Sequence, residues 1–217
     1  MFHYREALDH LPRHVEGIGP PIHIRIKPTN ICNHRCWYCS YRLKGVQLGQ
    51  DMDERDVIPH DKMMEIVDDL VAMRVRAVTF SGGGEPFCYP HLEETVLRLA
   101  DGGVRFASLT NGSRLTGSIA EVFAHRGVWL RISIDGWDDE SYARQRRVAH
   151  GEFTRVLANM RAFKRLKGPC HLGVALVVDQ TLAPHVAELI ERVCETGADS
   201  VKVAPCILSN VAQENND

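Results

Sequence analysis

The chain has 217 residues, enough for one sizeable core. Apolar residues make up 44% and charged residues 25%, an ordinary balance for a globular fold, and the net charge of −2 gives no electrostatic case for nucleic acid or an anionic membrane as the main partner. There is no run of about 18 apolar residues, the length that spans a bilayer, and the opening MFHYREALDHLPRH lacks a signal-peptide core, so a cytoplasmic protein is expected.

In chain order, IHIRIK (22–27) alternates as a strand. Segment 40–59, SYRLKGVQLGQDMDERDVIP, has no apolar period and predicts a long loop, a kind that often carries function. Its DMDERD run is expected as a solvated acidic face. HDKMMEIVDDLVAMRV then places Met63, Ile66, Val67, Leu70 and Val71 on one helical face. RAVTF (76–80) predicts the second strand, and a helix from Pro90 turns Leu92, Val96, Leu97 and Leu99 inward. VRFASL (104–109) precedes a helix around Ile119, Val122 and Phe123 that stops near Gly127. VWLRISI (128–134) precedes the helix EFTRVLANMRAFKRL, and HLGVALVV (171–178) precedes HVAELIERVCETG. SVKVAP (200–205) is the last strand signal.

Strict alternation of strand and helix implies parallel strands with right-handed crossovers. Strands buried on both faces suit that arrangement. Six such units allow an open doubly wound sheet or a partial barrel, and periodicity alone does not separate the two. ILSNVAQENND is too short and polar for a sixth packed helix, so either an abbreviated last unit or a fragment is expected.

Three cysteines, Cys32, Cys36 and Cys39, follow the first strand at C-x3-C-x2-C. In parallel α/β folds, chemistry gathers at the C-terminal ends of strands. Zinc, free thiols and an iron–sulfur cluster with one iron open to an outside ligand all fit three cysteines taken alone. In a cytosolic chain the odd total of seven cysteines favours thiols and ligands over disulfides. At the end of strand two, TFSGGGEPF offers a glycine-rich backbone that can approach a ligand closely. That backbone and Glu85 present acceptors for an ammonium group, and the bland alternative is a glycine-rich turn with a solvated Glu. LTNGS (109–113) closes strand three. ISIDG closes strand four with Ser133 and Asp135 on one face, where a carboxylate suits ribose hydroxyls; the plain alternative for Asp135 is an Asp-Gly turn.

Taken in this order, each at a strand end, these elements resemble the radical S-adenosylmethionine (SAM) superfamily over roughly residues 22–206. Cys32, Cys36 and Cys39 match its cysteine hallmark, Tyr38 the aromatic before the third cysteine, and Gly83, Gly84, Glu85 and Pro86 its Gly-Gly-Glu-Pro element. Ser133 and Asp135 resemble the ribose-contacting positions, with Asn111 placed beside them. An arginine near the SAM carboxylate is assigned to Arg146 in SYARQRRVAHGEF, with Arg144 and Arg147 as rivals. The resemblance implies a partial (β/α)6 TIM-like barrel with its last unit incomplete. The implied domains are an N-terminal extension (1–21), the core (22–206) and a polar tail (207–217). It also implies a [4Fe-4S] cluster whose fourth iron is chelated by SAM. Reductive cleavage of SAM then yields a 5′-deoxyadenosyl radical that takes hydrogen from a small-molecule or peptide substrate. A flavodoxin- or ferredoxin-like one-electron reductant is the implied partner.

Other residues are expected to do less. Cys194 is read as core on the apolar face of its helix, and Cys88 as a buried thiol rather than a hydrogen donor. Cys206, at the mouth of strand six, carries the same two readings. His34 is expected with its ring at the loop surface, and Trp37 either shields the cysteine loop or packs it.

Overall fold

The computed structural model describes residues 17, 19–43 and 50–207. Residues 1–16 and 18, residues 44–49 of the segment predicted as a long loop, and residues 208–217 lie outside the described residues.

Six strands alternate with helices. β1 (His23–Ile26) leads through the cysteine loop to α1 (His60–Ala72), and β2 (Ala77–Phe80) leads through a 3-10 turn at Pro86–Cys88 to α2 (Leu92–Asp101). β3 (Arg105–Thr110) and α3 (Gly117–Arg126) follow, then β4 (Trp129–Ile134), α4 (Asp139–Arg146) and α5 (Glu152–Arg165). β5 (His171–Val178), a 3-10 turn at Ala183–His185, α6 (Val186–Cys194) and β6 (Ser200–Pro205) complete the order. The strands form one all-parallel sheet in sequential order β1-β2-β3-β4-β5-β6, with β1 and β6 as its two edges. Registers such as Ile26↔Phe80, Phe80↔Ser108, Thr110↔Ile132 and Ile134↔Leu176 bring the C-terminal strand ends to one rim. This is the partial (β/α)6 arrangement that alternation left undecided.

Alternation along β4 divides its two faces. Leu130, Ile132 and Ile134 are buried, while Trp129, Arg131 and Ser133 are half-buried on the other face. Ile132 and Val156 of α5 both crowd the Cα of Gly112, so the even-numbered β4 side chains lie under the helices. Met63, Val67 and Leu70 of α1, Val96 and Leu99 of α2, and Val156 and Met160 of α5 complete that helix-side core. The periodic sequence signal arose from this packing. Among the described residues, no helix is long and apolar enough to cross a membrane.

One expectation is corrected, and one helix has no counterpart in the predicted elements. Cys194 is exposed, because Leu189 and Val193 take the inward face of α6. In addition, the segment Asp139–Arg146, which has no apolar period, is helical. A capping box starts this helix: the Asp138 carboxylate accepts from the Ser141 N–H, and the Ser141 hydroxyl accepts from the Asp138 N–H. Its buried face is polar, made of Ser141, Tyr142, Gln145 and Arg146, and a hydrophobic-period search cannot find such a helix.

Candidate active site

The cysteine loop docks on three neighbouring elements, two loops and the end of α4, at the rim formed by the C-terminal strand ends. Against the glycine run, Gly84 N–H donates to the Thr29 carbonyl at 2.9 Å and Glu85 N–H to the Ile31 carbonyl at 2.9 Å. A Cβ on Gly84 would lie 2.1 Å from the Ile31 carbonyl oxygen and 2.5 Å from the Asn30 carbonyl carbon. One on Gly83 would lie 2.0 Å from Asn30 Oδ1. These glycines therefore let the second loop close onto the backbone that leads into Cys32, a role sequence reasoning had given to close approach of a ligand.

Against α4, Arg35 N–H donates to the Arg146 carbonyl at 2.9 Å and Trp37 N–H to the Gln145 carbonyl at 3.2 Å. The last carbonyls of a helix lack partners within it, so the cysteine loop satisfies two of them. Trp37 Nε1 also donates to Gln145 Oε1, and Gln145 Nε2 continues to Asp179 and Thr181. Gly136 admits this helix so close to β4: its Cβ would lie 2.5 Å from backbone atoms of Tyr142. Against β3, Asn33 Nδ2 donates to Ser113 Oγ at 2.8 Å and Asn33 Oδ1 accepts from Asn111 Nδ2 at 2.9 Å.

His34 is buried at 1% exposure, and its Nε2 lies 3.1 Å from Glu152 Oε1 at the start of α5. The expected surface ring is thus corrected: His34 pins the cysteine loop from inside. Burial drives its pKa down to about 4, with Arg146 adding to the effect and Glu152 opposing it. Cys88 is half-buried, with its thiol 3.6 Å from Asn33 Oδ1. Cys206, also half-buried, follows β6 at the same rim.

Glu85 is 3% exposed, and its carboxylate accepts three hydrogen bonds. Oε1 accepts from Phe87 N–H at 3.0 Å and from the Thr110 hydroxyl at 2.6 Å, and Oε2 from Asn111 N–H at 2.7 Å. Burial raises its pKa, and these donors pull it back. Glu85 thus fastens the end of β3 to the loop after β2, and the solvated-Glu reading does not hold.

Arg146 is 2% exposed, whereas Arg144 and Arg147 are exposed. Its Nε donates to Asp135 Oδ1 at 2.6 Å and its Nη2 to Ser133 Oγ at 2.9 Å and Tyr38 Oη at 3.3 Å. One guanidinium therefore gathers Tyr38, Ser133, Asp135 and the α4 terminus. Burial works against its charge, but Asp135 holds its pKa well above the ordinary value. Burial lifts the Asp135 carboxyl, and Arg146 opposes that lift. Asp135 Oδ2 is buried without a hydrogen-bond partner, so one acceptor stays free beside the cysteine loop.

The donor set fits a polynuclear cluster. Burial pushes the Cys36 thiol up to about 11, Arg146 pulls it down, and Cys32 and Cys39 are near enough to raise it further. Three soft thiolate donors on one loop, with no fourth protein ligand assigned, suit iron–sulfur chemistry with one iron left to an outside ligand. Sequence reasoning missed Gln145, Glu152, Thr110 and Asn33. Asn33 stood inside the motif; the other three act through side chains far away in sequence, for which no local pattern exists.

The fold and this rim define an α/β partial barrel with a thiolate site at the C-terminal strand ends. The family model for the Radical SAM superfamily matches residues 26–202, and the chain belongs to that family. It is 28% identical over 184 residues to the dTDP-4-amino-4,6-dideoxy-D-glucose ammonia-lyase of Streptomyces venezuelae, covering 81% of this chain and 36% of that enzyme. It is 32% identical over 177 residues to the GTP 3′,8-cyclase of Xanthomonas campestris, covering 76% of this chain and 50% of the relative. The fold of Streptococcus suis SuiB bound to SAM superposes with a TM-score of 0.67 at 18% identity, over 88% of this chain and 42% of that one. The chain thus spans about half or less of these relatives' lengths.

Proposed function

We propose that residues 22–206 form a radical SAM core in which Cys32, Cys36 and Cys39 hold three irons of a [4Fe-4S] cluster and SAM occupies the fourth. Together the two groups would supply one-electron chemistry: reductive cleavage of SAM to a 5′-deoxyadenosyl radical that removes hydrogen from a substrate. The observation that carries this reading is the docking of one three-thiol loop onto the glycine run, the Asn111 corner and the Arg146 assembly at a single rim.

Within it, Glu85 holds the glycine run in place through its own buried hydrogen bonds, and the backbone carbonyls of residues 82–84 would accept from the methionyl ammonium. Arg146 supplies positive charge toward the SAM carboxylate and orients Asp135. Asp135 Oδ2 is the free acceptor for a ribose hydroxyl, beside Ser133 and Asn111. Tyr38 closes the side of the loop next to Arg146. The half-buried rim residues Trp37, Cys88 and Cys206 limit water access to this space. The substrate is a small molecule or a peptide, the electron donor a flavodoxin- or ferredoxin-like protein, and the setting the cytoplasm.

Anaerobic reconstitution tests the ligand assignment. We expect about four irons per chain, a content characteristic of a cubane. Changing Cys32, Cys36 and Cys39 together to alanine should abolish the broad visible absorbance. Retention of about four irons by that variant would show that other residues hold the metal.

A further inference from the structure

A second group of metal-type ligands lies outside this site. His60, His91 and Glu94 place one ligand atom each within 4.8 Å of one another. His60 opens α1, His91 is the residue before α2, and Glu94 is in the first turn of α2. The two imidazole centroids are 4.7 Å apart at 62°. His60 Nε2 lies 2.9 Å from Glu94 Oε2, while His60 Nδ1 lies 3.0 Å from Asp61 Oδ1. A metal-bound histidine commonly gives its second ring N–H to a carboxylate, which fixes the tautomer and aims the other nitrogen. Asp61 is placed to do this, which leaves Nε2 directed toward Glu94. A groove of about 530 Å³, lined by His91, Glu93, Glu94 and Arg98 among others, opens beside the group and gives an ion and its water a way in.

We propose that His60, His91 and Glu94 bind one divalent transition ion of the zinc class, with Asp61 orienting His60. Two imidazoles and a carboxylate form a three-ligand zinc set that leaves one position for water. The observed 2.9 Å between His60 Nε2 and Glu94 Oε2 is close to the tetrahedral edge of about 3.3 Å expected for ligands at about 2.0 Å. The helix N-termini carry partial positive charge that opposes a cation, and the Glu94 and Asp61 carboxylates offset it. The location gives the ion a structural consequence. His60 ends the loop that begins with the cysteines, and His91 ends the loop that begins with the glycine run. A bound ion would clip together the far ends of the two loops whose near ends face each other at the rim. The competing arrangement is a protonated His60 shared between Asp61 and Glu94 with no ion.

The test is zinc titration of anaerobic, cluster-loaded protein, in which Cys32, Cys36 and Cys39 are already engaged. Calorimetry should find one zinc site per chain. Zinc K-edge fine structure should show nitrogen and oxygen neighbours at about 2.0–2.1 Å and no sulfur at about 2.3 Å. His91→Ala and Glu94→Gln should each weaken binding by about 100-fold, and Asp61→Asn by about tenfold, the scale of lost outer partners. Cys194→Ala, which removes an exposed thiol, should leave affinity unchanged. All three ligand-side residues are at the surface, and circular dichroism verifies that the variants fold. Absence of saturable zinc binding, sulfur neighbours at the zinc edge, or full affinity in folded His91→Ala would each overturn the proposal.

Discussion

Glu85→Gln isolates what the buried carboxylate contributes. In the wild type, all three contacts to this side chain come from donors: Phe87 N–H, the Thr110 hydroxyl and Asn111 N–H. The Phe87 N–H can only donate, so a glutamine must keep its carbonyl oxygen on the Phe87 and Thr110 side. A glutamine can keep the two bonds made by Oε1. Its amide NH2 then faces Asn111 N–H, donor against donor. A hydrogen bond to an ionised acceptor contributes roughly 1.5–3 kcal/mol, and a buried N–H left unpaired costs about 1–3 kcal/mol. These are two views of the same contact, so about 3 kcal/mol is the expected loss. For a chain of this length, that lowers the melting temperature by roughly 6–12 °C. The glycine run would shift with it, and SAM affinity should drop by about one to two orders of magnitude, since about 1.4 kcal/mol is tenfold. Iron content should be unchanged, because Glu85 is not a proposed ligand. The assay is thermal unfolding by circular dichroism, followed by SAM titration of equally loaded proteins through the cluster spectrum. A melting temperature within about 2 °C of wild type would refute the claim that three donors require the charge. Normal stability with normal SAM affinity would return SGGGEP to a simple turn.

Gly84→Ala should prevent stable cluster loading, because its methyl overlaps backbone atoms of Asn30 and Ile31, whereas Gly19→Ala meets nothing within 4 Å and should load normally; iron analysis compares the two. Arg146→Gln leaves Asp135 buried without its cation and should destabilise by about 3–5 kcal/mol in urea unfolding, and adding Asp135→Asn should recover part of that loss. Acid should destabilise the fold in a definite window. Asp199 is shifted up by burial, but Lys164 and the Leu172 N–H more than offset this and hold it below the ordinary carboxylate value. A depressed carboxylate stabilises above its unfolded value and loses that contribution as pH falls through its folded value. The difference in urea midpoint between wild type and Asp199→Asn should therefore be level from about pH 7 to 5 and shrink below about pH 4. Asp199→Asn should start lower and fall less steeply; equal slopes would contradict the assignment.

Most of the frame was legible because its signals are local. The alternation in VWLRISI and the helical face of Met63, Val67 and Leu70 both report burial against a neighbouring layer, and both appear in the structure. The cysteine spacing and the glycine run were legible as motifs, but their mutual contact was not. Gly84 approaches Ile31 across a strand and a helix, and nothing in either segment encodes the pairing. The helix Asp139–Arg146 was illegible because its buried face is built from Tyr142, Gln145 and Arg146, and the stabilising partners of these residues lie on other elements. His34 looked like a spacer because its partner Glu152 is a helix-start residue indistinguishable from any solvated glutamate. Cys194 shows the opposite error. Cys194 stands one turn after the half-buried Ile190 and about 100° round the helix from the buried Val193, so it fell on the exposed edge.

The most direct test of the central claim is product formation. Anaerobic protein with a loaded cluster, given SAM and dithionite, should release 5′-deoxyadenosine slowly even without substrate, detected by chromatography and mass spectrometry. Arg146→Gln and Asp135→Ala with equal iron should release less. A fully loaded wild-type cluster that binds SAM and yields no 5′-deoxyadenosine would contradict the proposed chemistry and leave the site as a metal-binding scaffold.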